Sequence, residues 1–123
     1  MSEITDKKLL GKLGEDTAAE QYICDGYEVI ARNYHSRYGE IDLVLQGRGF
    51  IVFAEVKLRK NGSLVSPAQS VSYNKQRKLI LTAESYLMHN PSKLQPRFDV
   101  VEVVHDGGRV LSCNRIEDAF RLD

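Results

Sequence analysis

The sequence predicts an α/β domain in which a mixed central sheet is flanked by helices, with elements in the order α-β-β-β-α-β-β. Two stretches, 6–25 and 73–88, place apolar residues at helical spacing, whereas the runs around them alternate as strands do. A helix that follows a three-stranded meander and leads into further strands favours a mixed sheet. The composition, 42% hydrophobic and 28% charged, is ordinary for one globular domain covering 1–123.

The first predicted helix ends at Gly26, a residue typical of helix C-termini. Its stripe at i, i+4, i+7, i+8 and i+11 should lie on the sheet and consists of Gly11, Glu15, Ala18, Ala19 and Tyr22. Gly11 and Gly14 each cost about 1 kcal/mol in a helix interior relative to alanine. Close approach of another backbone or of a ligand would explain these glycines. Glu15 is then either part of a site or an acid in solvent.

Three strands are predicted next, over 27–34, 38–46 and 50–59. The second and third form a hairpin, because Gly47 and Gly49 supply the positive φ that a tight turn requires. The alternation of apolar residues then fixes which side chains share the core face. This set is Ile41, Leu43 and Leu45 with Phe50, Val52, Ala54 and Val56.

The opposite face of the hairpin collects Asp42, Glu55 and Lys57. Two carboxylates can hold a divalent cation through oxygen ligands, and the metal can acidify a bound water. A nearby lysine can orient or deprotonate that water, or neutralise charge on a phosphate. The simpler interpretation is an edge strand whose charges face water.

The second half of the chain begins with a predicted loop over 60–66, which either closes over a substrate or is a plain connector. The helix over 73–88 follows, and then a β-branched, largely buried strand over 98–104. Another strand is predicted over 109–114. A short terminal helix over 116–120 is expected to cover a sheet edge.

Several polar residues of this half are open to two interpretations. Gln76 is the polar member of the inward stripe of its helix, where it either reaches the exposed end of the sheet or simply caps a strand end or sits at the helix boundary. Asp99 could join the site, but its neighbour Arg97 favours a structural ion pair. His35 in the turn before the hairpin could touch a ligand, although a lone loop histidine is more often simply exposed.

The formal net charge is zero, so bulk charge does not indicate a nucleic-acid partner. The distribution of charge is more informative, because four basic residues lie close in sequence to the acidic strand and the following helix: Lys60, Lys75, Arg77 and Lys78. Such clusters are what binding of a phosphate backbone requires. The alternative is a solvated loop and helix face.

Cys24 and Cys113 are far apart and lack metal-ligand spacing, so both are interpreted as reduced packing residues. The N-terminus is polar and charged, which argues against a signal peptide. No apolar run approaches the roughly 20 residues that span a bilayer. We therefore expect a cytoplasmic protein without a membrane partner.

An ordered set of motifs covers nearly the whole chain: Gly11-Lys12-Leu13-Gly14-Glu15, Asn33-Tyr34, Gly39-Glu40-Ile41-Asp42-Leu43, Glu55-Val56-Lys57, Lys75-Gln76-Arg77-Lys78 and Arg97-Phe98-Asp99-Val100. In this set the chain resembles the YraN family, a bacterial family of the restriction-endonuclease-like superfamily. It is more distantly similar to archaeal Holliday-junction resolvases. The resemblance implies a restriction-endonuclease-like fold.

The nuclease motif of that superfamily is an acid, then a second acid, one residue and a lysine. The resemblance implies that Mg²⁺ or Mn²⁺ is bound by Glu15, Asp42, Glu55 and the Val56 carbonyl. It implies that Lys57 positions or activates the attacking water. Gln76 resembles a glutamine that follows the motif in many members and is grouped with the catalytic set. Glu40 is expected to support the turn or to contact DNA.

The leading hypothesis is therefore a metal-dependent DNA endonuclease of repair or recombination, with junction or branched DNA as its candidate substrate. Resolvases act as dimers across a two-fold junction, so a homodimer belongs to this hypothesis. The alternative is a non-catalytic nucleic-acid-binding module of the same fold that serves a partner protein. A third interpretation is a scaffold domain in which the charges are structural.

Overall fold

The computed structural model of the protein describes residues 6–62 and 71–121. Its elements, in chain order, are α1 (Lys7–Cys24), β1 (Glu28–Ser36), β2 (Gly39–Gly47), β3 (Phe50–Lys60), α2 (Tyr73–His89), β4 (Gln95–Asp106) and β5 (Arg109–Phe120). The predicted element order and the α/β fold class are confirmed.

The five strands form one sheet in which the spatial order β1-β2-β3-β4-β5 repeats the chain order. Strands β3 and β4 are parallel, and every other neighbouring pair is antiparallel. A parallel pair needs a crossover connection, and α2 lies within that connection. The sheet is therefore mixed, as the sequence predicts.

The helices pack on opposite faces of the sheet. Against α1 lies a core cluster that includes Ala18, Ala19, Tyr22, Leu43, Leu45, Val52, Ala54, Val101 and Val103. Against α2 lies a second cluster that includes Ile41, Val44, Ile51, Phe53, Leu79, Ala83, Tyr86, Phe98 and Val100. Alternate residues of each central strand feed the two clusters, because successive strand side chains point to opposite faces.

The register predicted for the hairpin is confirmed where the two strands pair, since Leu43 lies opposite Ala54 and Leu45 opposite Val52. The prediction that Ile41 shares the face of Leu43 is wrong, because Ile41 packs in the cluster beside α2. The pairing of β2 with β3 ends at Leu43 and Ala54. Without that pairing, side chains at this end of β2 need not alternate between the two faces of the sheet.

The predicted terminal helix over 116–120 is also wrong, because β5 continues to Phe120. Ile116 pairs with Val100 and Phe120 pairs with Phe98, so apolar residues of this segment complete the face beside α2. The Phe98 and Phe120 rings stack with centroids 5.0 Å apart. Tertiary packing therefore overrides the local helical pattern.

Cys113 is half-buried and packs beside the α1 cluster, in agreement with its interpretation as a packing residue. Cys24 is exposed, so the same interpretation is wrong for it. Within the described residues, neither helix is both long and apolar enough to cross a membrane. Positions 63–66 of the predicted loop lie outside the described residues.

Candidate active site

A cleft opens where β2 and β3 cease to pair. Beyond Leu43 and Ala54 the strands separate, and the Val56 N–H donates to Asp42 Oδ2 at 2.7 Å instead of to a neighbouring carbonyl. This bond satisfies the part-buried N–H of Val56 and orients the Asp42 side chain. The resulting cavity has a volume of about 310 Å³ and is lined by Gly39, Glu40, Asp42, Glu55, Lys75, Lys78 and Leu79.

The Asp42 carboxyl group is held where its ionised form is disfavoured. Burial, and then the charge of Glu55, raise the pKa of Asp42 from 3.8 to about 7, although the hydrogen bond from Val56 acts in the opposite direction. Perturbation of an acid by burial and by a second acid in a cleft is characteristic of functional sites.

Glu55 is buried, with 7% of its surface exposed, and forms ion pairs with two lysines. Its Oε1 atom lies 3.3 Å from Lys57 Nζ and 2.9 Å from Lys75 Nζ. The hydrogen bond to Glu55 raises the pKa of Lys75, so this lysine stays charged. The structure therefore brings together the predicted Asp42, Glu55 and Lys57, and it adds Lys75 from α2 to the same group.

Glu15 lies beside this group rather than inside it. It lines a neighbouring depression on α1 and makes a side-chain hydrogen bond with Asn33. Burial and the charge of Glu40 raise the pKa of Glu15. Across the described ranges, no three side chains of His, Cys, Asp or Glu converge closely enough to form a ready-made metal site. The role of Glu15 as a metal ligand stays a prediction.

Gln76 is not brought to the acids. Its Nε2 donates to the carbonyl oxygen of Val71 at 3.1 Å, five residues earlier and just before the helix begins. Of the described residues, those that line the cavity do not include Gln76. The contact agrees with the helix-boundary interpretation, and its catalytic role stays a prediction.

The four predicted nucleic-acid-binding residues divide into two groups. Lys75 and Lys78 line the cavity. Arg77 lies on the exposed side of α2, and Lys60 is exposed at the end of β3. All four residues lie on or near the same end of the sheet as Asp42. The cavity is therefore surrounded by a basic surface that could bind phosphates.

The structural interpretation of Arg97 and Asp99 is confirmed. Asp99 is fully buried and receives Arg97 Nε and Nη2, each at 2.9 Å, and the Tyr22 hydroxyl at 2.7 Å. The Asp118 N–H donates to it as well, at 3.0 Å. These bonds tie α1, β4 and β5 together on the face that carries α1, away from the cavity beside α2.

Sequence reasoning missed a second basic group close to Glu15. Side chains from the first turns of α1 and from β1 line the same depression: Lys7, Lys8, Lys12 and Arg32. The available signal was the helical spacing of Lys8, Gly11, Lys12 and Glu15, which places them along one side of α1. Asn33 was also missed as a partner of Glu15, since its position depends on tertiary packing.

The fold and the site together define a small α/β domain that carries two acids and a lysine on neighbouring strands at the open end of its sheet. The model of an uncharacterised protein family, UPF0102, matches residues 14–103. The chain therefore belongs to this family, to which the name YraN also applies.

Relatives of the same family match almost end to end. A UPF0102 protein of Symbiobacterium thermophilum is 44% identical over 112 residues, covering 90% of this chain and 95% of the relative. One from Caldicellulosiruptor bescii is 40% identical over 116 residues, covering 92% and 98%. One from Persephonella marina is 38% identical over 114 residues, covering 92% and 94%.

Proposed function

We propose that the protein is a metal-dependent nuclease that hydrolyses phosphodiester bonds at the cavity lined by β2, β3 and α2. The observation that carries the proposal is the pairing of a half-buried acid, Asp42, with a buried acid, Glu55, that already contacts two lysines. An isolated structural ion pair needs one acid and one base. Asp42 is the second acid, and it makes no ion pair with another described residue, although the charge of Lys75 acts on it. An acid in this position suits a reaction that supplies a divalent cation.

The donor set fits a hard divalent cation. Carboxylate oxygens are the ligands that Mg²⁺ prefers, and Mg²⁺ is commonly bound by one or two carboxylates together with waters and substrate phosphates. Asp42 and Glu55 would hold the ion, with the Val56 carbonyl and Glu15 as further candidates. Bound there, the ion would polarise a phosphoryl oxygen and acidify a water.

The side chains of the protein have separate tasks in this proposal. Lys57 orients the attacking water, and Lys75 places a second ammonium group beside the phosphate, where negative charge develops. The hydrogen bond from Val56 holds the Asp42 carboxylate in one orientation. Lys78 binds the phosphate backbone at the rim of the cavity, so that the scissile bond is positioned before the reaction begins.

A second candidate function is a nucleic-acid-binding module that does not turn over, and one observation favours it. Glu55 is already neutralised by Lys57 and Lys75, so the charges of this carboxylate are balanced without any metal. Such a module would bind a phosphate backbone through the same basic residues and would leave the strand intact.

A cleavage assay separates the two functions. Labelled four-way junction, flap, single-stranded and duplex DNA are incubated with native protein and either Mg²⁺ or Mn²⁺, beside an identically purified Asp42→Ala variant. We expect product only with metal and only from the native protein, and the preferred substrate then names the class of nuclease. Binding without product on any substrate would instead support the binding module.

Replacement of Lys75 by methionine should raise the affinity of the cavity for Mn²⁺ by about tenfold, equivalent to about 1.4 kcal/mol. The reason is electrostatic, because the ammonium group that lies 2.9 Å from Glu55 repels an incoming cation. Isothermal titration calorimetry of the two proteins measures the change. Arg77→Met, on the exposed side of the same helix, is the matched control. An affinity that changes no more than in this control would contradict a metal site at Glu55.

A further inference from the structure

A second depression lies between the first turns of α1 and strand β1. It has a volume of about 340 Å³ and is lined by Lys7, Lys8, Gly11, Lys12, Glu15, Asp16, Arg32 and Asn33. We infer that this depression, called the α1 depression below, binds a second phosphate of the nucleic-acid backbone, away from the one that reacts. The inference rests on the proposed function and extends it to the path of the substrate.

The first observation is the charge of the α1 depression. Four cationic side chains and two acids line it, so cations are in excess. Asp16 pairs with Arg32 at 2.6 Å and with Lys12 at 3.5 Å, so two of the four cations share this one acid. Lys7 and Lys8 are exposed at the start of α1. A groove of this charge attracts a polyanion such as a phosphate backbone.

The second observation is independent of charge and concerns Gly11. A glycine inside a helix costs about 1 kcal/mol relative to alanine, so it calls for a reason. Packing within the chain explains Gly14, where an added Cβ would lie 3.3 Å from Leu58 Cδ1. Packing does not explain Gly11, where an added Cβ would meet no described atom within 4 Å. Room for the backbone of a ligand explains it.

The third observation is the position of the α1 depression relative to the cavity. Glu15 lies in the depression, and its charge acts on Asp42, as does that of Glu40 on the cavity wall. The acids therefore lie between two basic surfaces, one formed by Lys75 and Lys78 and the other by the α1 depression. A strand that crosses the acids would contact cations on both sides, as a backbone several phosphates long requires.

The test is the affinity of Gly11→Ala for nucleic acid, measured in EDTA so that no cleavage occurs. Fluorescence anisotropy of a labelled duplex, and of RNA of the same sequence, gives the dissociation constants. We expect the variant to have a higher melting temperature than the native protein and yet to bind roughly tenfold more weakly. Ile23→Ala, at the exposed opposite end of α1, is the control and should bind like the native protein.

A second variant tests the charge of the α1 depression separately. Lys8→Gln should weaken binding on every sequence and lower the slope of log K against log salt by about 1. Lys93→Gln, exposed before β4 at the other end of the sheet, should leave the slope unchanged.

The outcomes also distinguish this inference from the proposed function. If Gly11→Ala and Lys8→Gln bind like the native protein while Lys75→Met or Lys78→Gln weakens binding, the α1 depression is not a phosphate site and the nuclease proposal stands. If the native protein binds neither DNA nor RNA, the proposed function is overturned and the inference with it. If the two variants bind DNA more weakly but RNA normally, the α1 depression accepts DNA. If their affinity falls for both, it accepts either nucleic acid.

Discussion

Replacement of Asp42 by asparagine should stabilise the metal-free protein and abolish its nuclease activity. Folding raises the pKa of Asp42 to about 7, so the charged carboxylate is disfavoured in the native state. The protonated Asp42 side chain therefore makes its full contribution to the free energy of unfolding below about pH 4. This contribution is lost as the pH rises through 7. Asparagine is neutral at every pH and retains an oxygen that can accept from Val56.

At pH 8 in EDTA, Asp42→Asn should raise the free energy of unfolding by on the order of 2 kcal/mol, and at pH 5 the gain should shrink. Thermal or urea unfolding at both values measures it. Asp16→Asn is the control of opposite sign, because hydrogen bonding to Arg32 lowers the pKa of Asp16. That variant should lose stability at pH 8. A less stable Asp42→Asn protein at pH 8 would contradict the electrostatic description of the cavity.

The same variant should lose at least about 100-fold in cleavage rate, since the site loses a charged ligand and the stabilisation of charge that depends on it. A rise in stability combined with a loss of rate is the signature of an acid retained for function rather than for folding. A folded Asp42→Asn protein that cleaves at the native rate would remove Asp42 from the mechanism.

The other large effect is expected on stability and concerns Arg97. Its side chain is 7% exposed, and its guanidinium group makes two bonds to a fully buried carboxylate, Asp99. Arg97→Ala would leave that carboxylate with Tyr22 and the Asp118 N–H as its partners. Breaking a buried ion pair in this way should lower the free energy of unfolding by about 3–5 kcal/mol. Urea denaturation followed by circular dichroism measures the loss.

The matched control is an exposed pair of the same chemistry. Arg121 contacts Asp118 at 2.6 Å, with 72% of the Arg121 side chain exposed. Arg121→Ala should therefore cost less than about 1 kcal/mol. Losses of equal size at the two arginines would show that the Arg97 network does not carry the link between α1, β4 and β5.

Much of the fold was predictable because local patterns and packing agree. The alternation of Leu43, Leu45, Val52 and Ala54 fixes the hairpin register, because a slip of one residue would turn every apolar side chain to the wrong face. Continued by one residue beyond the last paired positions, the same alternation places Asp42 and Glu55 on one side. For that reason the pair of acids could be found without any knowledge of the three-dimensional structure.

The parts that could not be predicted depend on contacts between distant segments. Ile41 packs on the face beside α2 because β2 and β3 separate there. No local sequence pattern indicates where the pairing of two strands ends. Phe120 extends β5 because its ring stacks on Phe98, 22 residues earlier in the chain. Lys75 reaches Glu55 only because of where α2 docks on the sheet, so its basic character was visible but its partner was not.

The most direct test of the proposed metal centre is titration of the native protein and Asp42→Asn with Mn²⁺ by isothermal titration calorimetry at pH 8. Cleavage can fail because the wrong substrate is offered, whereas this titration requires no nucleic acid. We predict saturable binding to the native protein and its loss in Asp42→Asn, which is expected to be at least as stable. Equal binding by both proteins, or none by the native protein, would contradict a metal centre at Asp42 and Glu55.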